Sequence, residues 1–235
     1  MNSLVIKNVE HRYSGNPFRL GPIDLKLEPG SCIGLMGENG AGKSTLFQII
    51  TGNLTPAVGS IIFGDKPVTF DAYELKKRFG YLPQNLELPQ WVSATEILRY
   101  ACCLYNLDSH TELIAKTIEH WAISEYADKP IAACSHGMKK RVALGLASIH
   151  DPDLLILDEP FSGLDLYHIK ALQDLIMQRQ NNSQITILST HIAPYSAKLC
   201  RQILSLKSGQ IEKLENWAEL DYLKRIAAIE QLFYK

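Results

Sequence analysis

An apolar strand that runs into Gly37-Glu38-Asn39-Gly40-Ala41-Gly42-Lys43-Ser44 and leaves through a helix closes off most folds to this chain. The segment fits the phosphate-loop pattern of glycine, four variable residues, glycine, lysine, and serine or threonine at every fixed position. Residues 32–36 form the short apolar run before it, and residues 45–50 read as a helix ending at Gly52. A strand, loop and helix in that order aim successive backbone N–H groups and a helix N-terminus at one point, where an anion is held. Glycine lets the backbone curl close to that anion, where a Cβ would intrude. Gly37, Glu38, Asn39, Gly40, Ala41, Gly42, Lys43, Ser44 and Thr45 are therefore the expected nucleotide contacts. Lys43 is expected to neutralise the β- and γ-phosphates, and the Ser44 hydroxyl to help hold Mg²⁺.

A second segment points to the same chemistry. Residues 154–157 are apolar on both faces, as in a buried parallel strand, and they end in Asp158-Glu159. The C-terminal end of such a strand is where α/β sheets place their active sites. Asp158 is expected to bind Mg²⁺ through water. Glu159 is expected to polarise a water in line with the departing phosphate.

Bulk properties narrow the setting. The chain has 235 residues, 46% of them hydrophobic, enough for a sizeable core. Lys plus Arg (24) nearly balances Asp plus Glu (25), so no broad electrostatic case for nucleic acid exists, although Lys139-Lys140-Arg141 is a local basic cluster. No run of about 18 apolar residues appears, so no membrane span is expected. The N-terminus reads as an alternating strand and not as a secretion signal. The five cysteines (Cys32, Cys102, Cys103, Cys134 and Cys200) lack zinc spacing and are expected to be buried thiols in a reducing cytoplasm. The histidines are scattered, and no metal site made of protein ligands alone is expected.

Along the chain, residues 4–9, the alternating Ile23, Leu25 and Leu27, a hairpin over 59–63 turning at Gly64-Asp65, and 79–82 all read as strands. Ser93-Ala94-Thr95-Glu96 is a capping-box pattern before the apolar run 97–104. Further helices are expected over 112–121 and 137–149. Strand and helix then alternate: a helix over 164–179, a strand over 185–189, a hairpin over 203–214 around Ser208-Gly209, and helical spacing over 217–233. The expected fold class is α/β: a phosphate-loop NTPase core with a mixed, mostly parallel sheet, an N-terminal antiparallel β subdomain, and an inserted helical subdomain.

Further motifs lie between and beyond the two segments. Tyr81-Leu82-Pro83-Gln84 precedes the helical part, and Cys134-Ser135-His136-Gly137-Met138 opens a helix. Ser162-Gly163-Leu164-Asp165 follows Glu159, and Ser189-Thr190-His191 ends a later strand. In this order the set resembles the nucleotide-binding domain of ATP-binding cassette (ABC) transporters. The similarity spans essentially residues 1–215, with core about 1–87 and 151–215, helical subdomain about 88–150, and 216–235 as a C-terminal helical extension.

The resemblance implies roles position by position. Gln84 looks like the glutamine that senses Mg²⁺ and γ-phosphate, and His191 like the switch histidine at the γ-phosphate. Lys43, Gln84, Glu159 and His191 then form the catalytic set, with Ser44, Gln84 and Asp158 on the metal. Tyr13 looks like the aromatic that stacks on adenine; packing beside a turn is the other reading. Ser135 and Gly137 look like signature residues that close over ATP bound by the opposite subunit. Asp165 looks like a residue crossing the dimer interface, and it also suits a helix cap. The signature departs from the common Leu-Ser-Gly-Gly-Gln form at Cys134, His136 and Met138.

ATP and Mg²⁺ are the implied cofactors. The implied partners are a transmembrane permease subunit and a second ABC ATPase subunit, like or unlike, with no nucleic acid. The implied place is peripheral, on the cytoplasmic face of the cell membrane. Leu86, Leu88, Trp91 and Tyr100 are candidates for docking a short helix of the permease, or else core of the helical lobe. The character of residues 97–107 and of the signature looks more like an exporter than an importer. Two alternatives stand beside the transporter ATPase: a soluble ABC-type ATPase acting on ribosomes or DNA, and a regulatory nucleotide-binding module.

Overall fold

The computed structural model describes residues 2–15, 17–214 and 217–233. Its strands are β1 (Leu4–Arg12), β2 (Arg19–Leu27), β3 (Cys32–Met36), β4 (Val58–Phe63), β5 (Lys66–Pro67), β6 (Phe79–Leu82), β7 (Leu154–Asp158), β8 (Ile185–Ser189), β9 (Gln202–Lys207) and β10 (Gln210–Lys213). Its helices are α1 (Lys43–Ile50), α2 (Tyr73–Lys76), α3 (Ala94–Leu104), α4 (His110–His120), α5 (His136–Ser148), α6 (Leu166–Asn181), α7 (Ala193–Leu199) and α8 (Tyr222–Phe233).

Two sheets result. An antiparallel sheet runs in the order β2-β1-β4-β5, with Leu4 opposite Leu27 on one side and Phe63 on the other. A larger sheet runs β10-β9-β3-β8-β7-β6, parallel throughout except for β10 at one edge. Every residue of β3, β7 and β8 is buried, the pattern of a parallel strand covered on both faces. This mixed α/β architecture agrees with the expected fold class.

Strand periodicity divides the core. Along β7, Leu154 and Ile156 join one apolar cluster with Ile185, Ile187, Phe47 and Phe63, while Leu155 and Leu157 join another with Leu188, Leu172 and Trp121. Successive side chains of a strand point to opposite faces, so one five-residue strand pins the antiparallel sheet and α1 on one side and the helices on the other. α8 packs on the second cluster through Ile229, which is fully buried, and the indole of Trp217 donates to the Cys200 carbonyl at 2.9 Å.

Between β6 and β7 the chain is helical. Ser93 caps α3 as its sequence implied: the Glu96 N–H donates to Ser93 Oγ at 3.2 Å, and the Glu96 carboxylate accepts from the Ser93 N–H at 2.8 Å. Two short helices, α2 and α7, were not anticipated. α1 begins two residues earlier than expected because Gly42, in the left-handed region at φ 108°, caps it.

Two sequence expectations need correction. Cys103 is exposed, since α3 turns Cys102 inward and its neighbour outward; the other four cysteines are buried. The basic run is no shared surface patch. Lys139 reaches Gln90 at 3.1 Å, Lys140 is buried, and Arg141 donates to the Ala122 carbonyl at 2.9 Å and lies over the Tyr126 ring. Each side chain follows its own direction around the helix.

Ser93→Ala removes a buried N-cap and strands the Glu96 amide, so stability is expected to fall by about 1–2 kcal/mol. Urea unfolding measures this as a lower midpoint with an unchanged slope.

Candidate active site

The phosphate loop joins β3 to α1, and its glycines are placed by what surrounds them. A Cβ on Gly42 would come within 2.7 Å of Phe18 Cζ, and one on Gly37 within 2.3 Å of the Leu206 carbonyl oxygen. Gly40, by contrast, faces open space with nothing within 4 Å. The loop is thus wedged from behind and open in front. Lys43 folds back over it, donating from Nζ to the carbonyls of Gly37 at 2.6 Å and Glu38 at 3.1 Å. This holds an ammonium at the mouth of the loop, beside the N-terminus of an eight-residue helix.

Asp158 and Glu159 stand at the C-terminal end of β7. Asp158 is only 2% exposed and accepts a hydrogen bond from the Ser189 hydroxyl, its neighbour in register on β8. Glu159 leaves the strand with φ +47°, a left-handed conformation that a non-glycine residue rarely adopts. Its N–H donates to both the carbonyl and the hydroxyl of Ser189, each at 3.1 Å. Its carboxylate oxygen lies 3.0 Å from His191 Nδ1, and its carbonyl accepts from Lys140 Nζ at 3.0 Å. Nearby, burial and the charge of Asp158 push the Tyr81 phenol up to about 12.

A cleft of about 380 Å³ draws these groups together: the loop residues Gly37 to Asn39, Lys43, Gln84, Glu159 and His191 all line it. His136, Lys140 and Ser162 line it as well. A larger hollow of about 550 Å³ lies on the other rim of the loop, against Phe18, Arg19 and the β9–β10 turn. Lys43, Glu159 and His191 line the smaller cleft and not this one.

The remaining sequence candidates lie outside that cleft. Tyr13 flanks the loop, with its hydroxyl 3.1 Å from Thr45 Oγ1 and its ring edge-on to His11. Ser135 caps α5 by accepting from the Met138 N–H at 3.3 Å. Gly137 allows close approach of the loop after Glu159, since a Cβ there would sit 2.7 Å from the Gly163 carbonyl. Asp165 caps α6, accepting from His168 N–H at 3.0 Å and from Nδ1 at 2.7 Å. The first of those bonds, from the His168 backbone, holds its carboxyl below the usual range.

Sequence reading gave no site role to Ser189, Lys140, His136 or Ser162. Ser189 links both acids, and its signal was a polar residue ending an apolar strand in the place Asp158 occupies on its own strand. Lys140 was read only as part of a charge run. His136 was noted as a departure from the signature, with no place in the cleft.

The ABC transporter family model matches residues 20–162. An uncharacterized ABC transporter ATP-binding protein of Methanocaldococcus jannaschii is 32% identical over 94% of this chain and 80% of its own length. Nod factor export ATP-binding protein I of Cupriavidus metallidurans is 32% identical over 88% of this chain and 69% of its own. Among solved structures, an ATP-binding subunit of an ABC transporter superposes with a TM-score of 0.84 at 25% identity, covering 98% of this chain and 99% of that one. Clostridium perfringens cbiO1, part of the ABC transporter complex cbiONQ, gives 0.77 at 27% identity, covering 95% and 92%. By fold, by motif order and by these likenesses, the chain belongs to the family of ABC transporter ATP-binding proteins.

Proposed function

We propose that this chain binds MgATP and hydrolyses it as the energy-converting subunit of a membrane transporter working in the export direction. The observation that carries this is the convergence, in one cleft, of Lys43 on a wedged glycine loop with the Glu159–His191 pair. The fit to a nucleotide rests on the open front of the loop at Gly40 and on an ammonium at its mouth. The fit to magnesium rests on oxygen donors: Ser44, Asp158 and Gln84 would hold the ion together with water and phosphate, the mixed set that Mg²⁺ favours. When bound, the ion screens phosphate charge against an approaching nucleophile.

The protein groups then divide the work. Backbone N–H groups of residues 37–45 and Lys43 bind the triphosphate, and Tyr13 stacks on adenine. Glu159 takes a proton from the water as its oxygen bonds to the γ-phosphorus and the bond to the β–γ bridging oxygen breaks. His191, at hydrogen-bond distance from that carboxylate, orients it and contacts the γ-phosphate. Gln84 joins the γ-phosphate side of the cleft to the helical segment, dividing the chain at about 88–150 from a core of 1–87 and 151–215, with 216–235 as an extension.

A second ATPase subunit, like or unlike, completes the site. Ser135 and Gly137 lie outside their own chain's cleft, in keeping with a role over the partner's nucleotide. Beside Asp165, Leu166 is 83% and Tyr167 68% exposed, an apolar surface suited to a subunit contact. ATP bound between the subunits favours the closed pair, and hydrolysis releases it.

A permease is the proposed second partner, which places the assembly at the cytoplasmic face of the membrane. Among the described residues no helix is long and apolar enough to cross a membrane. Trp91 and Tyr100 are 82% and 67% exposed, while Leu86 and Leu88 are half-buried against the core, and the two exposed rings support a docking surface. For export, the support is the relative named for Nod factor export and the character of the signature.

Three outcomes are expected. Glu159→Gln lowers steady-state ATP turnover by about 100-fold or more while ATP affinity stays within a few-fold, and Lys43→Ala loses both; a Lys43→Ala protein that binds and cleaves ATP like its parent would falsify the proposal. Ser189→Ala strands a buried carboxylate and is expected to lower stability by about 1–3 kcal/mol and turnover with it, as chemical unfolding and a phosphate-release assay would show. Paired Trp91→Ala and Tyr100→Ala changes are expected to abolish co-purification of a polytopic protein from mild detergent with ATP turnover intact. Stimulation by ribosomes or DNA instead would favour the soluble alternative.

A further inference from the structure

Lys140 is 1% exposed, yet it carries an ammonium that must be paired to be tolerated there. It projects from α5, the helix capped by Ser135, and donates from Nζ to the carbonyl oxygen of Glu159 at 3.0 Å. Burial holds its ammonium below the usual lysine range, against the smaller opposing pull of the Asp158 and Glu159 charges. The acids therefore favour the charged donor.

The contact falls where Glu159 needs it. A non-glycine residue at φ +47° persists only when its surroundings fix it from several sides. Ser189 fixes the N–H side, through its carbonyl and its hydroxyl. The peptide on the other side joins Glu159 to Pro160, which has no N–H. Its carbonyl oxygen is the only polar handle on that peptide plane, and Lys140 holds it. One residue is thus gripped from β8 on one flank and from α5 on the other.

We infer that Lys140 is a positioning residue for Glu159, tying the backbone of that acid to the helix opened by Ser135. The inference rests on the hydrolytic reading above. A displacement of α5 moves Lys140 with it, since both Ser135 and Lys140 belong to its first turns, and the Glu159 backbone then loses or regains its second support. The carboxylate changes its aim without any change in the phosphate loop.

Lys140→Met keeps the stem and removes the donor, and Lys140→Arg keeps a charged donor. With the full chain and MgATP, Lys140→Met is expected to lower kcat by about tenfold or more while equilibrium ATP binding stays within about twofold, and Lys140→Arg to recover most of the kcat. Thermal melting is recorded for each. If Lys140→Met is unfolded at the assay temperature, Lys140→Gln is judged by the same two criteria. Turnover at the parent's kcat overturns the inference, as does a lower melting midpoint with unchanged kcat per folded molecule. Loss of ATP affinity in step with kcat also overturns it, because the lysine is then a phosphate ligand. Glu159→Gln separates the two levels: if it is inactive while Lys140→Met is not, the hydrolytic reading stands and only the positioning role fails.

Discussion

Two carboxylates end a fully buried strand, and that constraint shapes everything around them. An anionic side chain at 2% exposure is tolerated only with a partner, and the Ser189 hydroxyl provides one for Asp158. The same oxygen receives the Glu159 N–H, so one buried hydroxyl sets both acids at once. This works because β7 and β8 are parallel and in register, with Asp158 beside Ser189. Shifting that register by one residue would exchange the two faces of β8 and split the link. Sheet register thus sets Asp158 beside Ser189 and fixes the N–H side of Glu159.

The phosphate loop obeys a complementary logic. Its floor is packed: a Cβ at Gly42 would meet Phe18, just before β2, and Leu20 of β2 in the antiparallel sheet, and one at Gly37 would meet Leu206 of β9 in the larger one. Both sheets therefore press on the loop from behind while its front stays open. Lys43 has two loop carbonyls as acceptors, and among the described residues no carboxylate pairs with it in competition with phosphate. Glycine conformation and core packing act here as one device. A cradle shaped only by flexible glycines would have to be ordered at the moment of binding.

Most of this was legible in the sequence because it depended on local pattern. β3 and β6 fall where apolar runs meet Gly37 and Pro83, and the Ser93 capping box reads directly from four residues. The phosphate loop and the acid pair were visible for the same reason. What stayed hidden is tertiary. α7 spans only seven residues, too few for a periodic signal, and its Pro194 at the first turn was the sole mark. Lys140 sat inside a charge run that reads as solvated, although Ala143, Leu144 and Ala147 follow at helical spacing and are buried with it. The apolar face named the lysine's direction; the charge obscured it.

That lysine also bears on how the proposed second subunit would act on the reaction. Ser135 and Lys140 lie on the same helix, one at its cap and one near its second turn, while Gly137 packs its first turn against the carbonyl of Gly163. A rigid helix held at its cap and in contact with the loop after Glu159 has little freedom to bend between those points. On the positioning role proposed for Lys140, a shift of α5 at its cap would be passed to that lysine, 3.0 Å from the carbonyl oxygen of the acid. Because Glu159 sits in a conformation maintained by its contacts, and not by its own preference, a small shift there has a disproportionate effect on carboxylate aim. On the proposed reading, the strained residue is where a shift of α5 would become a change in carboxylate aim.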